Sequence, residues 1–268
     1  MSTAKLGFLI VDPQNDFCDP EGELYVPGAR EDSERLAGII KKLGDKIGHI
    51  SVTLDTHRLA NIAHPIFWVS PEGKHPAPFT LISKDDIKNG LWRTTVPEHM
   101  DRAVSYADKL AENDRYVLCI WPPHCLLGSW GHNVVKPVYD ALLEWEEDFS
   151  LVDYTLKGLN MWTEHYSALM ADVVDPDDPS TKLNEKLLSR LKETDVLAIA
   201  GQALSHCVAN TVRDIAENSD ENDIKKMVLL TDTTSSVKGF EKMGEEFVRE
   251  MTARGMRTCT TEEFGGAF

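Results

Sequence analysis

The chain has 268 residues, with 28 Lys and Arg against 44 Asp and Glu, for a formal net charge of −16. That balance argues against a surface built to neutralise the phosphates of a nucleic acid or an anionic membrane. With 42% hydrophobic and 27% charged residues the composition is that of an ordinary globular protein, which excludes disordered, collagen-like and coiled-coil chains.

In chain order, the first expected element is a buried strand, "LGFLIV" over 6–11. A helix over 31–43 feeds a strand over 50–54, and after a long interval a strand is expected over 116–120. The rhythm then resumes with a helix over 135–146, a strand over 149–152, a helix over 183–191 and a strand over 195–200. Next come a helix over 206–217, a strand over 227–231, a helix over 240–254 and a short strand near Arg257. Alternation of this kind implies an α/β fold, doubly wound, with a mostly parallel sheet and helices on both faces. Ligands are then expected beyond the carboxyl ends of the strands.

The segment from about 58 to 115 is rich in proline and shows little periodicity, so it reads as an insertion within one domain spanning 1–268. The acidic runs at 172–179 and 217–223 read as solvated loops. No apolar run approaches the roughly 18 to 20 residues of a membrane span, and "MSTAK" lacks the form of a signal peptide. Five cysteines without CxxC spacing imply neither a disulfide framework nor a thiolate zinc site, and a cytoplasmic protein is expected.

Several residues at predicted strand ends could carry chemistry. Asp12 follows the first strand, where desolvation would raise its pKa and suit it to proton transfer; an Asx-turn before Pro13 is the alternative. Cys207 falls in the first turn of a helix directly after a strand, a setting that stabilises a thiolate, although a small buried Cys that only packs the helix fits as well. Lys157 lies just past the expected strand at 149–152, where it could favour both anions or simply solvate the surface. Asp55 and His57, two residues apart on an extended chain, point to one side, with His64 nearby and His124 in a stiff "WPPH" turn. One carboxylate and these imidazoles form a plausible transition-metal set, and each histidine alone could equally be an ordinary hydrogen-bonded residue.

Taken in order, "VDPQNDF", "DTH" with "HPIF", "WPPHC", "KG" with "EHYSAL", and "GQALSHCVANT" resemble the isochorismatase-like cysteine hydrolases, in particular their nicotinamidase/pyrazinamidase branch. The resemblance implies a catalytic triad of Asp12, Lys157 and Cys207, metal ligands Asp55, His57 and His124, and His64 as a further ligand. It places Phe17 and Trp121 on either side of a substrate ring, a cis peptide between Gln202 and Ala203, and an oxyanion hole at the N–H groups of Ala203 and Cys207. The implied activity is hydrolysis of nicotinamide to nicotinic acid and ammonia, serving pyridine-nucleotide salvage, by way of a thioester. The implied cofactor is a divalent transition metal, zinc first, with iron or manganese as alternatives. The expected partner is a small amide substrate, with no nucleic acid or membrane, in a homo-oligomer. A related amidase acting on a carbamoyl or ureide group, and a catalytically silent binding protein, are the competing readings. The chain departs from the family pattern in "DTHR" where "DWHP" is usual, in His206 before the cysteine, and in the long segment between His57 and His124, a lid or a subunit contact.

Overall fold

The structure is a computed structural model that describes residues 5–112, 116–147 and 149–268. Six strands form one sheet: β1 (Leu6–Val11), β2 (Ile47–Asp55), β3 (Asp153–Lys157), β4 (Val196–Gly201), β5 (Met227–Leu230) and β6 (Arg257–Cys259). Their spatial order is β6-β5-β4-β1-β2-β3, and every pairing is parallel. The uninterrupted apolar run of β1 is buried along its whole length, as a central strand covered on both faces requires. Helices surround the sheet. Ala29–Leu43 turns Leu36, Ile39, Ile40 and Leu43 inward, carries Glu31 and Asp32 in its first turn and Lys41 and Lys42 in its last, and so agrees with the helix dipole. It packs beside Lys136–Glu146 and the carboxy-terminal helix Thr261–Ala267, whose Phe264 meets Phe8 edge-on. Among the described residues no helix is long and apolar enough to cross a membrane.

Several sequence expectations need correction. The strand expected over 116–120 is only Leu118–Cys119, paired antiparallel with Leu81–Ile82 outside the main sheet. Its neighbours are satisfied by the 58–115 segment: Ile120 N–H donates to Thr80 and Trp121 N–H to Ala63. The strand expected over 149–152 begins at Asp153 instead, because Phe149 and Leu151 are 98% and 82% exposed. Lys157 is therefore the last residue of a strand rather than a residue beyond one.

The 58–115 segment adds no strand to the main sheet, but it is more regular than its prolines suggest. It contains the helix Met100–Glu112, which buries Ala103, Tyr106, Ala107 and Leu110, and a short helix Lys84–Lys88 closed by a Ser83–Asp86 capping box. Ile62 and Trp68 from this segment are fully buried in the main core. The acidic runs are not merely solvated. Asp175 is buried and pairs with Arg102 at 2.5 Å, and Asp220 caps the helix Glu221–Lys226 by accepting from Asn222 and Asp223 N–H.

Because all six strands run the same way, the carboxyl ends of β4, β1, β2 and β3 form one edge. Val11 pairs with Gly201 and Asp55 with Lys157, so the residues after these strands converge. Gly201 has a φ of +109°, and a Cβ there would lie 2.0 Å from the Val11 carbonyl oxygen. Only glycine permits this approach of the two chains.

Candidate active site

Asp12 is completely buried and follows β1 with a φ of 44°. One oxygen, Oδ1, accepts from Thr53 Oγ1 at 2.6 Å. The other, Oδ2, lies 2.9 Å from Lys157 Nζ in an ion pair. Burial raises the Asp12 pKa, and the Lys157 charge and Thr53 hydrogen bond temper that rise. Lys157 Nζ also meets Asp55 Oδ1 at 3.0 Å and Cys207 Sγ at 3.5 Å. Desolvation works against the ammonium, but the two aspartates outweigh it and hold Lys157 well above the usual lysine range. One buried cation at the end of β3 thus ties together an acid, a thiol and a second carboxylate from beyond or at the ends of three other strands.

Cys207 sits in a single π-helical turn, Leu204–Val208, that leads into the helix Ala209–Glu217. Burial pushes its thiol well above the ordinary range, and although Lys157 works in the other direction, Asp12 and Asp55 add to the rise. The thiolate expected from a helix N-terminus is therefore not the resting form. A thiol facing a carboxylate replaces it, and the proton must leave at the moment of attack.

Beside this trio, Asp55, His57 and His124 place one donor atom each within 4.8 Å of one another, all buried. Asp55 Oδ1 meets His57 Nε2 at 3.0 Å, and Oδ2 meets His124 Nε2 at 3.2 Å. Burial lowers His57 to about 3 and His64 to about 4, so both are neutral imidazoles at physiological pH. Burial also opposes charge on His124, but its hydrogen bond to Asp55 and the Asp55 charge move it upward. For Asp55, the opposing effect of burial is overcome by Lys157 and His57, which hold it well below the usual carboxylate range.

His124 Nδ1 is engaged with the Pro122 carbonyl at 2.8 Å and His64 Nδ1 with the Leu59 carbonyl at 3.0 Å, leaving Nε2 of each ring turned away from the backbone. His64 falls outside the three-residue group, its ring centroid 5.2 Å from that of His57 and 5.8 Å from that of His124. His64 Nε2 and His57 Nδ1 are buried with no hydrogen-bond partner among the described residues. A buried carboxylate surrounded by neutral imidazoles with orphaned nitrogens fits a divalent ion of the zinc type.

Two further residues set this geometry. Gln14 pairs with both backbone groups of Asp55: its Nε2 donates to the carbonyl at 2.7 Å and its Oε1 accepts from the N–H at 2.7 Å. Gly158, with a φ of +86°, follows Lys157, and a Cβ there would stand 3.0 Å from Asp55 Oδ1 and 3.2 Å from His57 Nε2.

A small cavity opens onto Cys207, Asp55 and His124, and both Phe17 and Trp121 line it. Phe17 lies with its ring 5.4 Å from that of His124. Trp121 is held by a hydrogen bond from Nε1 to Tyr166 Oη at 2.8 Å. Ala203 and His206 also line the cavity; the peptide between Gln202 and Ala203 is cis, and the Ala203 N–H has no hydrogen-bond acceptor among the described residues. His206 is buried, bonded to Ser205 Oγ at 2.9 Å and packed edge-on against Trp121 and Phe240. His206 therefore faces inward.

Sequence reasoning gave no role to Glu164 and Tyr166, which also line the cavity. Burial, reinforced by the Asp55 charge, raises Glu164 to about 7. The only signal for it was an acid beside the apolar end of "TEHYSAL".

No family model matches the chain. In sequence it is 27% identical, over 209 residues, to the nicotinamidase of Saccharomyces cerevisiae, a span of 78% of this chain and 80% of that protein. The structure of the yeast nicotinamidase bound to the inhibitor nicotinaldehyde superposes with a TM-score of 0.66 at 20% identity, covering 95% of this chain and 99% of that one. A pyrazinamidase of Pyrococcus horikoshii in complex with zinc gives 0.57 at 19% identity, covering 96% and 99%. An isochorismatase-like hydrolase from Alkaliphilus metalliredigens gives 0.54 at 15% identity, covering 98% and 99%. The chain has the fold of the isochorismatase-like hydrolase, and nicotinamidases and pyrazinamidases are among the proteins it is similar to in sequence and structure.

Proposed function

We propose that the chain is a cysteine-dependent amidohydrolase that converts nicotinamide and water to nicotinic acid and ammonia. The observation that carries this reading is the buried ammonium of Lys157, 2.9 Å from Asp12 and 3.5 Å from Cys207, whose thiol opens onto an aromatic-lined cavity. The similarity to a curated nicotinamidase supports the choice of substrate.

In this reading Cys207 Sγ attacks the carboxamide carbon while its proton passes to Asp12 Oδ2, the carboxylate oxygen paired with Lys157. The developing oxyanion is held by the N–H groups of Ala203 and Cys207. As the tetrahedral adduct collapses, Asp12 gives the proton to the departing nitrogen, and ammonia leaves behind a thioester. Water then attacks the thioester carbon, Asp12 takes its proton, and the acid departs as the thiol is restored. Lys157 stays cationic throughout and holds Asp12 and Asp55 in place. Phe17 and Trp121 enclose the ring.

Asp55, His57 and His124, with His64 beside them, would hold a divalent ion, zinc first and iron or manganese as alternatives. When bound, the ion would fix the pyridine nitrogen and so orient the ring. The zinc-bound pyrazinamidase among the structural relatives supports this assignment. We also read residues 1–268 as one domain with an insertion at 58–115, and the free state of all five cysteines fits the reducing cytoplasm.

A substrate panel tests the reading. Nicotinamide should release ammonia at a kcat/KM at least ~100-fold above that for ureides and aliphatic carbamoyl compounds, as expected when a shaped aromatic site positions the amide. A preference for a ureide would overturn the substrate and leave the nucleophile in place.

A further inference from the structure

We propose that Asp32, which lies outside the cavity, is a positioning residue that sets the Ala203 N–H for catalysis; this rests on the function proposed above. Asp32 belongs to the helix Ala29–Leu43 and is 3% exposed. Its Oδ1 accepts from Arg35 Nη2 at 2.8 Å, which fixes the plane of the carboxylate. Two donors from the far side converge on Oδ2: Gln202 Nε2 at 3.0 Å and Ser235 Oγ at 2.6 Å. The Ser235 N–H donates to Gln202 Oε1 at 3.1 Å, so Asp32, Gln202 and Ser235 close a ring of hydrogen bonds.

The ring grips the peptide that carries Ala203 from both sides. On one side the Gln202 side chain is held by Asp32 and Ser235, and its N–H donates to the Val11 carbonyl at 2.8 Å. On the other side the Leu204 N–H donates to the Ser235 carbonyl at 2.8 Å. Between the two, Ala203 faces the cavity. The next residues are tied to the same support, since the Val237 N–H donates to Ser205 Oγ at 3.1 Å. Burying a carboxylate is unfavourable unless it is paired and hydrogen-bonded. An apolar residue at position 32 would also strand the Gln202 amide and the Ser235 hydroxyl. Because an oxyanion donor acts only when aimed within a fraction of an ångström, a charge one helix away from the chemistry can govern it through this ring.

Asp32→Ala, Asp32→Asn and Ser235→Ala, each assayed with nicotinamide, test the inference. Loss of a direct oxyanion donor lowers kcat by about 100- to 1,000-fold, so an indirect misplacement in Asp32→Ala should lower it by roughly 10- to 100-fold. KM should stay within about 2-fold, because the ring-binding residues are untouched. Affinity for nicotinaldehyde, whose adduct with Cys207 puts an oxygen into the same hole, should fall in step with kcat/KM. Asp32→Asn, which keeps one acceptor oxygen, should recover part of the loss. The Asp32→Ala and Ser235→Ala effects should be non-additive, since they break one ring.

Should Asp32→Ala fail to fold, the other two variants carry the test. Wild-type kcat and wild-type aldehyde affinity in folded variants would overturn the inference, as would losses that merely track the fraction unfolded. An active parent with unaffected variants contradicts this inference alone. A parent that releases no ammonia from nicotinamide contradicts the proposed function and takes the inference with it.

Discussion

Asp12 has to be basic enough to take a proton from a buried thiol and acidic enough to be ionised beforehand. Burial supplies the first property, while Lys157 and Thr53 supply the second. Thr53→Val keeps the β-branched shape and removes the hydrogen bond that lowers the Asp12 pKa. The Asp12 pKa should therefore rise, and the acidic limb of the kcat/KM profile should move to higher pH, because the base works only when ionised. A profile that does not move would show that this limb belongs to another group. Asp12→Asn should lower kcat/KM by at least ~100-fold, the usual contribution of a general base; a smaller loss would remove Asp12 from proton transfer.

At this scale the sequence was most informative where a residue directly follows a strand. An apolar run ending in an acid placed Asp12, and a strand running into "SHC" placed Cys207. Glu164 and Tyr166 were not legible in the same way, because they reach the cavity from the loop after β3, whose path is set by tertiary packing. The resting protonation of Cys207 was misread from sequence, where the helix N-terminus pointed to a thiolate. It depends first on how deeply the thiol itself is buried, and then on the charges of Lys157 and the two aspartates beside it.

Among the elements, the end of β3 shows how a strand can evade its usual pattern. "DYTLK" exposes Tyr154 and Leu156 at the sheet edge and turns Lys157 inward, so apolar residues face out and the charge faces in. The exposed apolar run before it therefore looked more strand-like than the strand itself. The helix Met100–Glu112 was missed for a different reason: the surrounding prolines concealed apolar residues at 103, 106, 107 and 110, which follow helical spacing. The central strands β1, β4 and β5 were legible because parallel strands buried on both faces leave strong apolar runs.

The turn after β3 also makes a prediction. Gly158→Ala adds a Cβ against Asp55 and His57 at a φ of +86°, where a side chain costs about 1 to 2 kcal/mol. Metal affinity measured by chelator competition should fall by at least ~10-fold, the lower range for disturbed metal surroundings. An unchanged affinity would show that the turn does not support the metal site.

For the molecule as a whole, acidity acts through buried histidines more than through the net charge. Burial lowers His206 to about 4 and His165 to about 3, whereas both would take up a proton near 6.5 in the unfolded chain. Their contribution to stability is full above about pH 6.5 and is lost as the pH falls toward their folded values, since the unfolded state then binds protons that the native state refuses. Thermal stability should therefore fall steeply from about pH 6.5 down to pH 4. His206→Phe, which keeps the aromatic packing, should reduce that loss by up to ~3 kcal/mol, on the basis of 1.36 kcal/mol per pKa unit. The same acid sensitivity in the variant would mean that His206 is protonated or solvated in the native state.

The convergence of strand ends gathers Asp12, Lys157 and Cys207 beside one cavity, onto which Cys207, Asp55 and His124 open. The central claim is that this cavity hydrolyses a pyridine carboxamide through Cys207. Ammonia release from nicotinamide, followed for the parent protein and for Cys207→Ala under identical metal loading, tests it most directly. The expected result is steady turnover by the parent and a loss of at least ~100-fold in the variant. Turnover that survives in Cys207→Ala, or a parent that releases no ammonia, would contradict it.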